Sequence, residues 1–176
     1  MTRLPVRPPS RRRDALRIRP ARRDDHPALA TLMAVSPLLR RYGTTRALAL
    51  RALGRAQASR DQLTVAVTPD GHMCGLAWVL PSRILTGAAY LRLLLVSEGR
   101  QGAGTGAALL AAAEDAARAV ANHLVLLVTT GNTGARRFYA RHGYRHVGQL
   151  PGLARAGIDE ALYWKTLRSH RRRLPV

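Results

Sequence analysis

Between Val96 and Gly106 the chain reads Val-Ser-Glu-Gly-Arg-Gln-Gly-Ala-Gly-Thr-Gly, with an apolar run before it and a helical pattern after it. Glycine lets the backbone turn tightly and approach a ligand closely. A helix start adds unsatisfied N–H groups and a partial positive charge. Together they suit a phosphate cradle, and three readings compete. A P-loop needs a Gly-Lys-Ser/Thr ending, and no Lys is present in the segment. The dinucleotide fingerprint G-x-G-x-x-G/A is formally matched by Gly102, Gly104 and Ala107. Its first Gly should turn directly off the strand, whereas five residues separate Val96 from Gly102, and Val128-Thr129-Thr130 offers no acid for a ribose. The third reading is a loop that only turns the chain. Other reactive residue types are sparse. Cys74 lies in an apolar run and reads as a small buried residue. His142 and His146 are four apart, but Gly143 should end a helix between them, which argues against a metal pair.

The surrounding elements follow from periodicity. Ala15 to Arg19 alternates as a strand does. Asp24-Asp25 offers an N-cap, with Pro27 in the first turn and Leu29, Leu32 and Met33 at helical spacing. A second helix is expected over about 44–58, with Leu48, Leu50 and Leu53 as its apolar face. Leu63–Thr68 and Met73–Leu80 read as a hairpin around Pro69-Asp70-Gly71. Tyr90–Val96 is a near-continuous apolar strand, as burial on both faces requires. The helix after the glycines carries the stripe Leu109, Leu110, Ala113, Ala117 and Val120, with Glu114 and Arg118 paired on its outer face. Leu124–Val128 is a strand, Gly134–Arg141 a helix stopped by Gly143, and Tyr144–Val147 and Leu162–Thr166 are closing strands. Hairpins followed by strand–helix alternation give an α/β fold: a mixed sheet with helices on both faces.

Two blocks in this order resemble the GCN5-related N-acetyltransferase (GNAT) superfamily. Gln101-x-x-Gly104-x-Gly106 after a strand is similar to its acetyl-CoA pyrophosphate loop. The segment from Asn132 through Ala135, Phe138 and Tyr139 to Gly143-Tyr144 is similar to its N-x-x-A-x-x-F-Y-x-x-x-G-F block, with Tyr144 replacing the final Phe. The opening from Leu16 to Ala21 resembles its first strand, so the likeness spans about residues 14–168.

The resemblance implies a GNAT fold: a mostly antiparallel sheet with one splayed parallel pair. It implies acetyl-CoA as cosubstrate and no metal. Leu94 and Val96 would give backbone contacts to the pantetheine arm. Gln101, Gly102, Ala103, Gly104, Thr105 and Gly106 would hold the pyrophosphate, and Asn132 would contact the pantetheine. Tyr139 matches the acid that protonates the departing thiolate. The general base is open among Glu98, Asp159 and Glu160, with Glu160 preferred and ordered water as the alternative. The function expected is acetyl transfer to a primary amine, with a small-molecule acceptor favoured. A macromolecular acceptor (a protein amine or aminoacyl-RNA) and a non-catalytic acyl-CoA-binding domain are the alternatives.

The 176 residues suit one domain, here 14–168, between basic tails 1–13 and 169–176. The tails are expected to be disordered. Net charge is +19, and the ends hold most of it: residues 1–23 have nine Arg against Asp14, and 168–176 have four more. Such Arg could bind nucleic acid through phosphates. However, aromatics make up only 5% of the chain, and single-strand readers need stacking rings as well, so nucleic acid is not favoured as a partner. One Cys excludes an internal disulfide, and no apolar run reaches a membrane span. The expectation is a cytoplasmic monomer or homodimer with no membrane contact.

Overall fold

In a computed structural model, residues 16–85 and 87–167 are described. Both tails assigned from the sequence, with residues 14, 15 and 168, lie outside them. The elements run β1 (Arg17–Pro20), α1 (His26–Val35), α2 (Pro37–Arg41), α3 (Arg46–Ala58), β2 (Gln62–Val67), β3 (Met73–Leu85), β4 (Ala88–Val96), α4 (Thr105–Arg118), β5 (His123–Thr129), α5 (Thr133–Arg141), β6 (Arg145–Arg155) and β7 (Ile158–Thr166). Single 3-10 turns precede α1 and follow β4.

The strands form one seven-stranded sheet in the order β1-β2-β3-β4-β5-β7-β6. Only β4 and β5 run parallel; every other neighbour pair is antiparallel. Strand alternation divides the sheet's side chains between two cores. Val65, Val67, Leu76 and Trp78 face α1 and α3, whereas Ala66, Ala77, Val79 and Leu126 face α4 and α5.

Packing against α4 explains one glycine. A Cβ on Gly75 would lie 2.6 Å from Leu109 Cδ1 and 3.0 Å from the Leu95 carbonyl oxygen. No residue with a side chain fits between β3 and the helix without a shift.

Several sequence expectations need correction. Asp25 does not cap α1; it takes a bidentate pair from Arg19 at 2.7 and 2.9 Å and the Arg22 N–H at 2.6 Å. A carboxylate that close to a guanidinium gains more from ion pairing than from a helix end. Helix α3 starts at Arg46 rather than at about residue 44, and Thr45 caps it, accepting from the Leu48 N–H at 3.3 Å. Short α2 was not anticipated; Ser36 caps it at 3.4 Å and Pro37 starts it. Leu48 and Val120 are exposed, Val120 because α4 has already ended at Arg118. Glu114 pairs with Arg118 at 3.3 Å, but it is buried rather than on an outer face. It also accepts from Lys165 Nζ at 2.7 Å and the Tyr144 hydroxyl at 3.1 Å, which joins α4 to the β6–β7 side. The last hairpin is much longer than expected, so Asp159 and Glu160 lie inside β7 rather than before it.

Candidate active site

The sheet splits between its two parallel strands. Pairing of β4 with β5 starts at Ala88 opposite His123 and stops at Leu91 opposite Leu126. The next residue is a bulge: on β3, Val79 faces Leu91 and Trp78 faces Leu93, so Arg92 has no partner. One extra residue exchanges the two faces of a strand. Ala89 and Leu91 accordingly pack on the α4 side, while Leu93 and Leu95 pack on the α1–α3 side. The expectation of burial on both faces holds for Leu91 on the α4 side and Leu95 on the α1–α3 side, but Arg92 is exposed.

Beyond the bulge the backbone of β4 has an open side. The Ser97 N–H donates to the Cys74 carbonyl at 2.9 Å, which fixes the hydrogen-bonding phase with β3. In an antiparallel pair alternate residues turn their groups to the same neighbour. Leu93 and Leu95 therefore bond to β3, and the peptide groups of Leu94 and Val96 face the gap.

The glycine loop closes one end of this gap. Gly102 and Gly104 adopt φ of +78° and +81°, and a Cβ at either would meet open space. Glycine is required there by backbone conformation rather than by crowding. The Gln101 side chain donates to the Val96 carbonyl at 3.4 Å and folds the loop back on the strand end. Among the described residues, the N–H groups of residues 102–107 find no backbone acceptor; the first returned bond is Ala108 N–H to the Gly104 carbonyl at 3.0 Å. These N–H groups lie at the positive end of the fourteen-residue helix α4. The residues present fit a pyrophosphate.

A groove of about 640 Å³ is lined by β4 and β5 where they part and by α1, α2 and α3. Leu94, Asn132, Tyr139 and Glu160 all line it. Asn132 Oδ1 caps α5 by accepting from the Ala135 N–H at 3.0 Å. Tyr139 is buried among Phe138, Tyr144 and Tyr163, with ring centroids 5.2, 5.5 and 6.4 Å away. Its hydroxyl makes no hydrogen bond among the described residues. Burial first, then the neighbouring Tyr90, pushes that hydroxyl well above the ordinary tyrosine range.

Of the three candidate bases only Glu160 is in the groove. Glu98 is exposed in the turn after β4, and Asp159 accepts from the Gly152 N–H at 3.1 Å in the last hairpin. Glu160 is buried, and the Tyr42 hydroxyl donates to its Oε1 at 2.5 Å. Tyr42 Oη also lies 2.6 Å from Thr129 Oγ1; with the tyrosine proton committed to Glu160, Thr129 is the donor of that pair. Burial and the Glu160 hydrogen bond both hold the Tyr42 hydroxyl above its usual range. Tyr42, Thr129, Trp78 and Arg92 were not singled out from the sequence. Tyr42 sits in a stretch with no periodicity, and the bulge at Arg92 has no sequence signature.

Elsewhere, Cys74 is buried with its thiol pointed at the Ala66 carbonyl at 3.5 Å, and burial pushes its pKa up. Among the described residues no group of three or more His, Cys, Asp or Glu could hold a metal ion. None of the helices described is long and apolar enough to cross a membrane.

A sheet split at a parallel pair, with bare amides at one end of the split, has the form of a coenzyme-binding α/β fold. The model of the acetyltransferase (GNAT) family matches residues 46–144, and the chain belongs to that family. Solved structures agree in fold. The chain is 18% identical to an N-acetyltransferase from Staphylococcus aureus Mu50, with a TM-score of 0.74, covering 88% of this chain and 99% of that one. It is 18% identical to yncA from Salmonella typhimurium, solved with its cofactor acetyl-CoA, with a TM-score of 0.71 and coverage of 93% and 100%. It is 22% identical to a ribosomal-protein-alanine N-acetyltransferase from Brucella melitensis, with a TM-score of 0.70 and coverage of 85% and 99%. No curated protein sequence matches the chain.

Proposed function

We propose that the protein is an N-acetyltransferase that passes the acetyl group of acetyl-CoA to the primary amine of a small molecule by direct attack. The observation that carries this reading is a buried carboxylate, Glu160, with no cationic partner among the described residues, in the groove that Leu94 on the open edge of β4 also lines. Acetyl-CoA supplies an acetyl group activated as a thioester. Residues 102–106 would bind its pyrophosphate through backbone N–H groups, whereas the Gln101 N–H is taken by the Glu98 carbonyl at 3.2 Å; Leu94 and Val96 would hold the pantetheine arm along the gap, with Asn132 beside it. Buried charges are paired in proteins, and Glu160 has no cationic partner among the described residues. An incoming ammonium group fits that vacancy in the charge balance, and Glu160 then accepts the proton the amine must lose. Tyr139 keeps its proton at neutral pH and has no acceptor of its own, as suits a donor to a departing thiolate. A groove of this size falls in the range for small ligands.

The test is calorimetry with acetyl-CoA and with NADH, followed by a screen of amino acids, polyamines, aminoglycosides and protein N-termini. Acetyl-CoA binding with turnover of a small amine is the expected result. NADH binding without acetyl-CoA binding would overturn the reading, and turnover of protein N-termini alone would move the acceptor to macromolecules. Gly104→Glu should abolish acetyl-CoA binding, because it puts a side chain at φ +81° and a negative charge into the cradle.

A further inference from the structure

The groove's charges are segregated. Among the described residues, three charged ones line it: Glu160, Arg55 and Arg92. Glu160 lies where β7 runs beside β5, opposite Thr129. Arg92 points the other way, with its guanidinium 4.9 Å from the centroid of the Trp78 ring on β3. Trp78 is itself fixed by an indole N–H to Asp61 Oδ2 bond at 2.9 Å. Arg55 projects from α3 on the same side of the sheet as Trp78, and Met33, Leu39 and Leu48 supply apolar lining between the helices and the floor. Among the described residues, neither Arg55 nor Arg92 has a carboxylate partner. The strand order β3-β4-β5-β7 puts Trp78 and Arg92 two to three strands from Glu160, roughly 10–15 Å at ~4.8 Å per strand.

We propose that the acceptor is an elongated primary amine carrying an anionic group roughly 10–15 Å from its nitrogen, with the amine at Glu160 and the anion read by Arg92 and Arg55. This rests on the acetyl-transfer reading. Guanidinium groups take carboxylate or phosphate by paired hydrogen bonds, and the same two cations repel polyamines and aminoglycosides. An α-amino acid is too short to reach both ends; an extended peptide of three or four residues, at about 3.3–3.6 Å each, spans the distance.

The experiment compares a tetrapeptide of Ala and Leu, its C-terminal amide, an aminoalkyl phosphate of matched length and spermidine as acceptors for the full chain. Acetyl-CoA binding is measured separately by calorimetry. The expected result is kcat/KM at least ~10-fold higher for the free acid than for the amide, or for the phosphate if that anion is preferred. An effect of that size matches one to two charge-assisted hydrogen bonds. Arg92→Gln and Arg55→Gln should each shrink the acid-to-amide ratio several-fold, and Arg51→Gln, on the exposed face of α3, should leave it unchanged. Equal rates for acid and amide, a preference for spermidine, or no transfer to any of the four despite tight acetyl-CoA binding would each overturn the proposal. Loss of acetyl-CoA binding itself would instead remove the reading beneath it.

Discussion

One side chain in the candidate site, Tyr139, has a single proposed job, and substitution can isolate it. Tyr139→Phe removes a hydroxyl that has no partner among the described residues and leaves the ring packed against Tyr144 and Tyr163. Turnover should fall by about 10²-fold, in the range for loss of a general acid, with acetyl-CoA affinity and thermal stability little changed. An unaltered rate would make Tyr139 a packing residue. Outside the site, Asp25 tests the electrostatic reading of β1. Its carboxyl is held below the usual range, first by the Arg19 hydrogen bonds, against the opposing effect of burial. A depressed folded-state pKa adds stability that is present above the unfolded value and disappears as pH falls through the folded one. Asp25→Asn should therefore cost about 1–3 kcal/mol near neutrality, and the gap to the parent chain should narrow as pH falls below the unfolded-state value of about 3.9. Urea unfolding at pH 7 and pH 3 checks this, and an equal gap at both would refute it.

At the scale of elements, the site depends on how β3, β4 and α4 stack. Gly75→Ala would push a methyl group into Leu109 and the Leu95 carbonyl, so stability should drop by about 1–3 kcal/mol. Leu109 is fully buried. Gly75→Ala combined with Leu109→Ala should lose less than the sum of the single losses, because the added methyl occupies part of the space Leu109 vacates; strict additivity in urea titrations would contradict the contact. The same stack shows what a sequence can and cannot reveal. The glycine loop and the Asn132–Tyr144 block were legible because local backbone demands select residue types at fixed spacings. Strand and helix positions were legible where one face is apolar throughout, as in α4 and β5. The bulge at Arg92 was not, because a single charged residue in an otherwise apolar strand reads the same whether or not an extra residue shifts the pairing. The extent of β6 was hidden for the opposite reason: it is a sheet edge, its residues are largely exposed, and Gly148, Pro151 and Gly152 look like loop. Ending the first closing strand at Val147 and starting the second at Leu162 left Glu160 in a connection, whereas it lies inside β7.

For the molecule as a whole, the question is whether the basic ends belong to the working unit. The sheet is covered on both faces without them, by α1 and α3 on one side and α4 and α5 on the other. Its boundaries are tied down close to the limits of the described residues. Leu16 packs against the α4-side core, and Leu167 is buried with its N–H bonded to the Asn122 carbonyl at 2.7 Å. Removing residues 1–13 and 169–176 leaves in place every core side chain among the described residues, but it takes away eight of the chain's 29 Lys and Arg. A chain of residues 14–168 should therefore fold, unfold cooperatively within ~1 kcal/mol of the full chain, and bind acetyl-CoA with similar affinity. On a small acceptor seated between Glu160 and Arg92 its kcat/KM should also be retained, since Glu160, Arg55 and Arg92 all remain in the shortened chain. The salt dependence gives a second handle. Tails that grip a polyanion lose affinity with a log–log slope of about 0.7–0.9 per phosphate neutralised, whereas a groove reading one anion loses far less. Activity that collapses on truncation, with acetyl-CoA binding intact and a steep salt slope in the full chain, would place the acceptor on a nucleic acid or a ribosome-like surface and remove the small-molecule reading.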